Sequence, residues 1–188
     1  MRLIIVDGLD GVGKDTHAEL IKKRYLEKNE KVILRSHPED DNFFGIKAKK
    51  ALLGRGKINK FKASLFYMMD VLRSVRKYYN KGDVDTLIMV RYLIGTAYLP
   101  EKLVKFGYKF FYNFVPTSDY LLFIDAPPDI ILKRIQSRDK HEIFETYDNL
   151  VKVRKKAMLL VNNWFIIDSS SSVDNTFLKI ERILDNLD

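Results

Sequence analysis

The sequence predicts an α/β protein in which a parallel sheet is covered by helices on both faces. Short apolar runs of strand length recur along the chain, and the segments between them switch to a helical period, which is the alternation of parallel β-α-β units. The first of these runs leads directly into a glycine-rich turn that opens a helix. At 188 residues the chain has the length of one domain around one core.

Taken in order, the first strand is Leu3 to Val6, and the helix after the glycine turn runs through Ala18, Ile21 and Tyr25. The second strand is Val32 to Leu34. A long helix follows, with Leu65, Met68, Met69, Leu72, Arg76 and Tyr79 on one period. Leu87 to Val90 and Tyr120 to Ile124 are the third and fourth strands. Leu150, Val153, Ala157, Leu160 and Val161 mark the next helix, and Trp164 to Ile167 the last strand. Ser169 to Ser172 supply a turn and an N-cap for a final helix through Val173, Phe177, Ile180, Leu184 and Leu187. No repeat or linker interrupts the chain, so residues 1–188 read as a single domain.

Composition narrows the chemistry. Hydrophobic residues at 46% and charged residues at 31% exclude a disordered or collagen-like chain. No apolar run approaches the roughly 18 residues of a membrane span. Met1-Arg2 passes straight into the first strand without the pattern of a signal peptide, so a cytoplasmic protein is expected. The absence of cysteine excludes disulfides, thiolate zinc sites and cysteine nucleophiles. His17, His37 and His141 are too far apart for a local metal motif, which leaves oxygen ligands for any metal. A net charge of +8 favours nucleic acid, a membrane surface or small phosphorylated molecules. Seven cations and no acid lie between Lys47 and Lys62; they read either as a solvated helix end and loop or as a basic rim to a cleft. No helix-turn-helix, zinc-finger or RNA-binding signature accompanies them, so nucleic acid is set aside as a partner.

The glycine turn is Gly8-Leu9-Asp10-Gly11-Val12-Gly13-Lys14-Asp15-Thr16, the G-x-x-x-x-G-K spacing of a phosphate-binding P-loop between strand and helix. Its glycines let backbone N–H groups turn inward around phosphates, the helix N-terminus adds positive potential, and Lys14 places a charge on the outer phosphates. Thr16 adds a hydroxyl to the cradle. The residue after the lysine is ordinarily Ser or Thr, a ligand of Mg²⁺, and here it is Asp15. Its carboxylate can bind magnesium or cap the helix.

Beyond the loop the sequence resembles the thymidylate kinase family of P-loop nucleoside-monophosphate kinases. Val6-Asp7-Gly8-Leu9-Asp10-Gly11-Val12-Gly13-Lys14 is similar to that family's E-G-x-D-G-x-G-K, and His37-Pro38-Glu39 with Gly45 to its segment after strand two. Leu65 to Asp70 is similar to the L-L-F-A-A-D-R helix, and Arg91-Tyr92 with Gly95, Thr96, Ala97 and Tyr98 to the D-R-Y motif and the helix start after it. Asp125-Ala126-Pro127-Pro128, Arg134, Arg138, Phe144-Glu145 and Val153-Arg154 resemble the strand-four turn, the lid and the helix beyond.

The resemblance implies a three-layer α/β/α fold with a five-stranded parallel sheet of order 2-3-1-4-5, a lid at about 136–147, and a homodimer. It implies ATP and Mg²⁺ at the P-loop and a deoxynucleoside monophosphate across the cleft. Asp10 would hold the acceptor sugar's 3′-hydroxyl, Arg91 its phosphate, and Arg138 the transferring phosphoryl group. His37, Pro38 and Tyr98 would line the acceptor site, with Tyr67 stacking on the base. Arg134, Ser169 and Ser170 would lie at the ATP side, the serines beside adenine. Arg134 and Arg138 also fit one exposed helix face at i, i+4. With Val90 in place of the aspartate of D-R-Y, Asp125 becomes the second candidate carboxylate for Mg²⁺, or else a cap before Pro127-Pro128. Val71 stands for the base-reading arginine, Asp40 for an arginine after F-P-E, and Ile143 for a lid arginine. These positions face ligand in the family. Tyr67 keeps the stack while Val71 cannot donate, so the expected acceptor is thymidylate with weakened base selectivity, or a related monophosphate. The alternatives are a kinase of another small phosphorylated or hydroxylated acceptor, and a nucleotide-binding protein without turnover.

Overall fold

The computed structural model describes residues 1–54, 57–137 and 146–188. Its centre is a five-stranded parallel sheet in the order β2-β3-β1-β4-β5, as the resemblance implies. The strands are β1 (Arg2–Gly8), β2 (Val32–Ser36), β3 (Thr86–Val90), β4 (Tyr120–Asp125) and β5 (Phe165–Asp168). Ile4, Ile5 and Val6 of β1 and all five residues of β3 are buried. That explains why both read as unbroken apolar runs: a central parallel strand is covered on its two faces. Trp164 lies just before β5 rather than within it.

The helices are α1 (Lys14–Glu27), α2 (Phe43–Leu52), α3 (Lys57–Tyr78), α4 (Glu101–Phe114), α5 (Pro128–Gln136), α6 (Tyr147–Met158) and α7 (Val173–Leu187), with a short 3-10 helix at Ile94–Tyr98. The tetraserine does what its composition suggests: Ser172 caps α7, its hydroxyl accepting the N–H of Asn175, a contact worth about 1 kcal/mol. α4 keeps its lysines, Lys102, Lys105 and Lys109, on one face and carries more apolar surface than the core takes up. Val104 and Phe111 are buried while Leu103, Phe106, Phe110 and Phe114 are exposed. α2 and α3 pack against each other, and the basic stretch covers the end of one and the start of the other. Lys49 in it pairs with Asp40 at 2.5 Å. Among the described residues no helix is long and apolar enough to cross a membrane.

Two positions assigned to the ligand side lie in the core instead. Val71 and Val90 are fully buried. Val71 follows buried Asp70 and precedes buried Ser74 on the inner face of α3, and Val90 is paired with Val6 inside the sheet. Asp40 is exposed on Lys49. Arg138, Ile143, Phe144 and Glu145, and most of the span assigned to the lid, lie outside the described residues.

Candidate active site

The C-terminal ends of the parallel strands gather the polar residues, as open α/β sheets do. β1 delivers Asp7 and the glycine loop, β2 delivers Ser36 and, just after it, His37, and β3 ends one residue before Arg91. Gly8 leaves β1 at φ 155°, where a Cβ would stand 2.3 Å from the carbonyl oxygen of Ile124 on β4. Only glycine lets the loop start this close to the neighbouring strand. Gly13 has φ 90° at the N-terminus of α1, so the loop enters the helix through a left-handed step.

Lys14 is buried, and its Nζ donates to the Leu9 carbonyl and to Asp10 Oδ1, each at 3.0 Å. Asp10 also accepts from Arg91 Nη2 at 3.3 Å and, through Oδ2, from the Tyr98 hydroxyl at 3.3 Å. Burial alone would raise the Asp10 pKa; the charges of Lys14 and Arg91 outweigh it and hold the carboxyl far below its ordinary range. Arg91 reaches further. Its Nη1 donates to Asp15 Oδ1 at 2.8 Å and to Ser36 Oγ at 3.0 Å, while Ser36 Oγ donates to the same Asp15 oxygen at 2.5 Å. Asp15 therefore faces β2 and β3 and does not cap α1, which has no side-chain cap.

Tyr67 enters from α3. Its hydroxyl donates to the Arg91 carbonyl, and its ring stands edge-on to His37 with centroids 6.5 Å apart. His37 is fully buried and its Nδ1 lies 3.2 Å from the Val90 carbonyl. Since a carbonyl only accepts, Nδ1 carries the proton. Burial pushes the His37 pKa down to about 4, against the pull of Asp70, so the ring is neutral. The peptide bond from His37 to Pro38 is cis. On the other side of the loop, Arg134 of α5 donates to the Ser169 carbonyl at 2.7 Å, and Ser169 Oγ lies 2.9 Å from the Val12 carbonyl. Arg134 and Ser169 thus meet beside the P-loop. Ser170 is exposed and turns to Asp168, and Thr16 is exposed on α1.

Asp125 serves neither as a cap nor as an open carboxylate. Arg154 of α6 donates Nε to both its oxygens, at 2.9 and 3.1 Å, and Nη2 to Oδ2 at 2.6 Å, while α5 begins at Pro128 with Pro127 in the cap position and no side-chain cap.

The sequence alone assigns Asp7 no role, yet in the structure it anchors the turn after β3. It is almost wholly buried, and its carboxylate accepts the backbone N–H groups of Tyr92, Leu93 and Ile94 at 2.7 to 3.1 Å. That turn carries Arg91, whose φ of 54° is left-handed. An acid at the end of an apolar strand, one residue before the first P-loop glycine, is the hint the sequence offers.

The thymidylate kinase family model matches residues 6–180. The chain belongs to the thymidylate kinase family. The thymidylate kinase of Thermosipho melanesiensis is 30% identical over 196 aligned positions, covering 98% of each chain. A probable thymidylate kinase of Saccharolobus solfataricus is 26% identical, with 97% of this chain and 96% of that one covered. In structure, the thymidylate kinase of Candida albicans superposes with a TM-score of 0.76 over 98% of this chain and 91% of that one, at 16% identity; that likeness speaks for the fold. The family makes this chain a nucleoside-monophosphate kinase, a phosphotransferase with ATP as its co-substrate.

Proposed function

We propose that the protein transfers the γ-phosphoryl group of ATP to thymidylate, dTMP, and releases dTDP and ADP. The observation that carries this reading is the convergence of Lys14 and Arg91 on Asp10 at the mouth of the glycine loop. One cation belongs to the loop and the other to the turn after β3, and both meet on Asp10 Oδ1, so a single site presents two positive charges to the donor and acceptor phosphates.

The glycine loop, Gly8 to Gly13, offers backbone N–H groups to the β- and γ-phosphates, and Lys14 neutralises their outer oxygens. Arg91 holds the acceptor monophosphate, whose oxygen attacks the γ-phosphorus; that P–O bond forms as the bond from γ-phosphorus to the β-γ bridging oxygen breaks, and ADP departs with that oxygen. Arg138 neutralises the transferring group. Asp10, held by Tyr98, takes the sugar hydroxyl. Tyr67 stacks on the base, with Pro38 lining the acceptor site and the buried His37 standing behind the Tyr67 ring, and Arg134 with Ser169 and Ser170 flanks adenine. Positioning and charge neutralisation do most of the work in a transition state this loose.

Magnesium usually binds through one or two carboxylates completed by substrate phosphates and water. Asp15 fits: it stands on the first turn of α1 beside Lys14, with both of its contacts on Oδ1. Asp125 does not fit, since Arg154 occupies both oxygens. The ion's contribution there is to neutralise charge on the phosphates.

The test is incubation of the purified protein with Mg-ATP and a panel of deoxy- and ribonucleoside monophosphates, reading ADP. Thymidylate-dependent ADP release is expected. Its absence for every acceptor would overturn the reading.

A further inference from the structure

The carboxylate in place of the P-loop Ser or Thr changes what the acceptor meets on entering. Lys14 and Arg91 supply two positive charges, Asp10 and Asp15 two negative ones, and the four sit within one chain of contacts at 2.8 to 3.3 Å. The cluster is neutral before any substrate binds. A serine or threonine at position 15 would leave it with one net positive charge. Moreover, Asp15 occupies Nη1 of Arg91, the guanidinium assigned above to the acceptor phosphate, and Ser36 holds it there.

Phosphate and Asp15 are therefore competitors for one guanidinium. Asp15 is half exposed, so its carboxylate can rotate off Arg91 into solvent without disturbing the core. A monophosphate dianion that displaces it leaves a freed carboxylate next to phosphate, with repulsion between them. A divalent cation bound by that carboxylate removes the repulsion and withdraws Asp15 from the competition.

We propose that Asp15 is an internal counterion for Arg91 which the acceptor phosphate must displace, and that through this displacement the acceptor monophosphate and a divalent cation strengthen each other's binding. The proposal rests on the acceptor site described above. It predicts a coupling that needs no ATP and no turnover. Coupling is reciprocal by thermodynamic necessity, so either ligand can be the one titrated.

Binding of thymidylate is measured calorimetrically, without ATP, in EDTA and in excess Mg²⁺, for the wild type and for Asp15→Asn and Asp15→Ser. Melting temperatures near that of the wild type establish that the variants are folded. The wild type should bind thymidylate about tenfold more tightly with Mg²⁺ than without, a typical size for coupling between sites. Both variants should bind more tightly than the wild type in EDTA and should respond little to Mg²⁺. Thymidine, which brings no phosphate, should bind all three proteins equally. If thymidylate binds but its affinity is the same in all three proteins, or the Mg²⁺ effect survives in the variants, the counterion proposal is overturned while the kinase reading stands. If thymidylate binds none of them, the acceptor assignment and the proposal fall together.

Discussion

The backbone N–H of Leu93 donates to Asp7 Oδ2 at 2.7 Å, tying the C-terminal end of β1 to the turn that presents Arg91. Asp7 is a positioning residue for that arginine: buried and turned to backbone N–H groups, it fixes the peptides on which the guanidinium is mounted. Asp7→Ala leaves three buried N–H groups without an acceptor and should destabilise the fold by about 2–4 kcal/mol. In Asp7→Asn a single carbonyl oxygen remains to accept, so the expected effect is a smaller loss of stability and a raised KM for the acceptor with the KM for ATP unchanged. Equal effects on both substrates would show a merely structural role.

The same carboxyl sets a pH dependence. Burial raises the Asp7 pKa from 3.8 to about 6, the three N–H bonds and Lys14 opposing it. A carboxyl that binds its proton more tightly folded than unfolded favours the native state when protonated. The stabilising contribution is full below about pH 4 and is lost as the pH rises through about 6. Urea midpoints measured between pH 4 and pH 7 should therefore contain a component that disappears in Asp7→Asn.

Lys14→Ala should leave the protein folded and lower kcat by at least about a hundredfold, the scale of a single transition-state charge contact. Steady-state kinetics with saturating thymidylate check this, and an unchanged rate in a folded variant would remove the P-loop assignment.

Arg134 tests the adenine side separately. Because it is anchored on the Ser169 carbonyl, Arg134→Ala should raise the KM for ATP several-fold and leave thymidylate binding in the absence of ATP unaltered. A calorimetric comparison of the two ligands distinguishes this from a general loss of structure.

For Asp125 the expected phenotype is stability. Asp125→Asn and Arg154→Met should each lower the melting temperature, and the double variant should lose less than both together, since each single change removes the same ion pair. The magnesium requirement of the reaction should stay that of the wild type. A raised requirement in Asp125→Asn alone would return Asp125 to the metal.

Local pattern made the sheet and the loop legible. Buried strands are apolar throughout, the P-loop needs its glycines and lysine at fixed spacing, and Ser172 announces α7 by its chemistry. What pattern cannot convey is which way a residue turns once the elements pack. Correspondence with polar residues of the family puts Val71 and Val90 at the ligand, yet an apolar side chain at either site belongs to the core, where both are found. Asp125 looked like a spare carboxylate because its partner, Arg154, lies 29 residues away. Asp7 was hidden for a related reason: its partners are backbone groups of residues 92 to 94, and amide groups carry no signature in a sequence.

The hydrogen bond from the Arg91 N–H to the Val6 carbonyl, at 3.3 Å, continues the ladder that pairs β1 with β3 from Arg2 and Thr86 to Val6 and Val90. The phosphate loop and the arginine opposite it are thus separated by most of a hundred residues of chain and joined by one ladder. A slip of a single residue between these strands would carry Arg91 by roughly 3.3 Å, beyond reach of both Asp10 and Asp15, and would turn its side chain to the opposite face of the sheet. The spacing of the glycine loop from Arg91 is therefore a property of the correctly registered sheet. Amide exchange in β1 and β3 should slow together when both substrates are bound, because any opening that frees one strand from the other also dismantles the cleft.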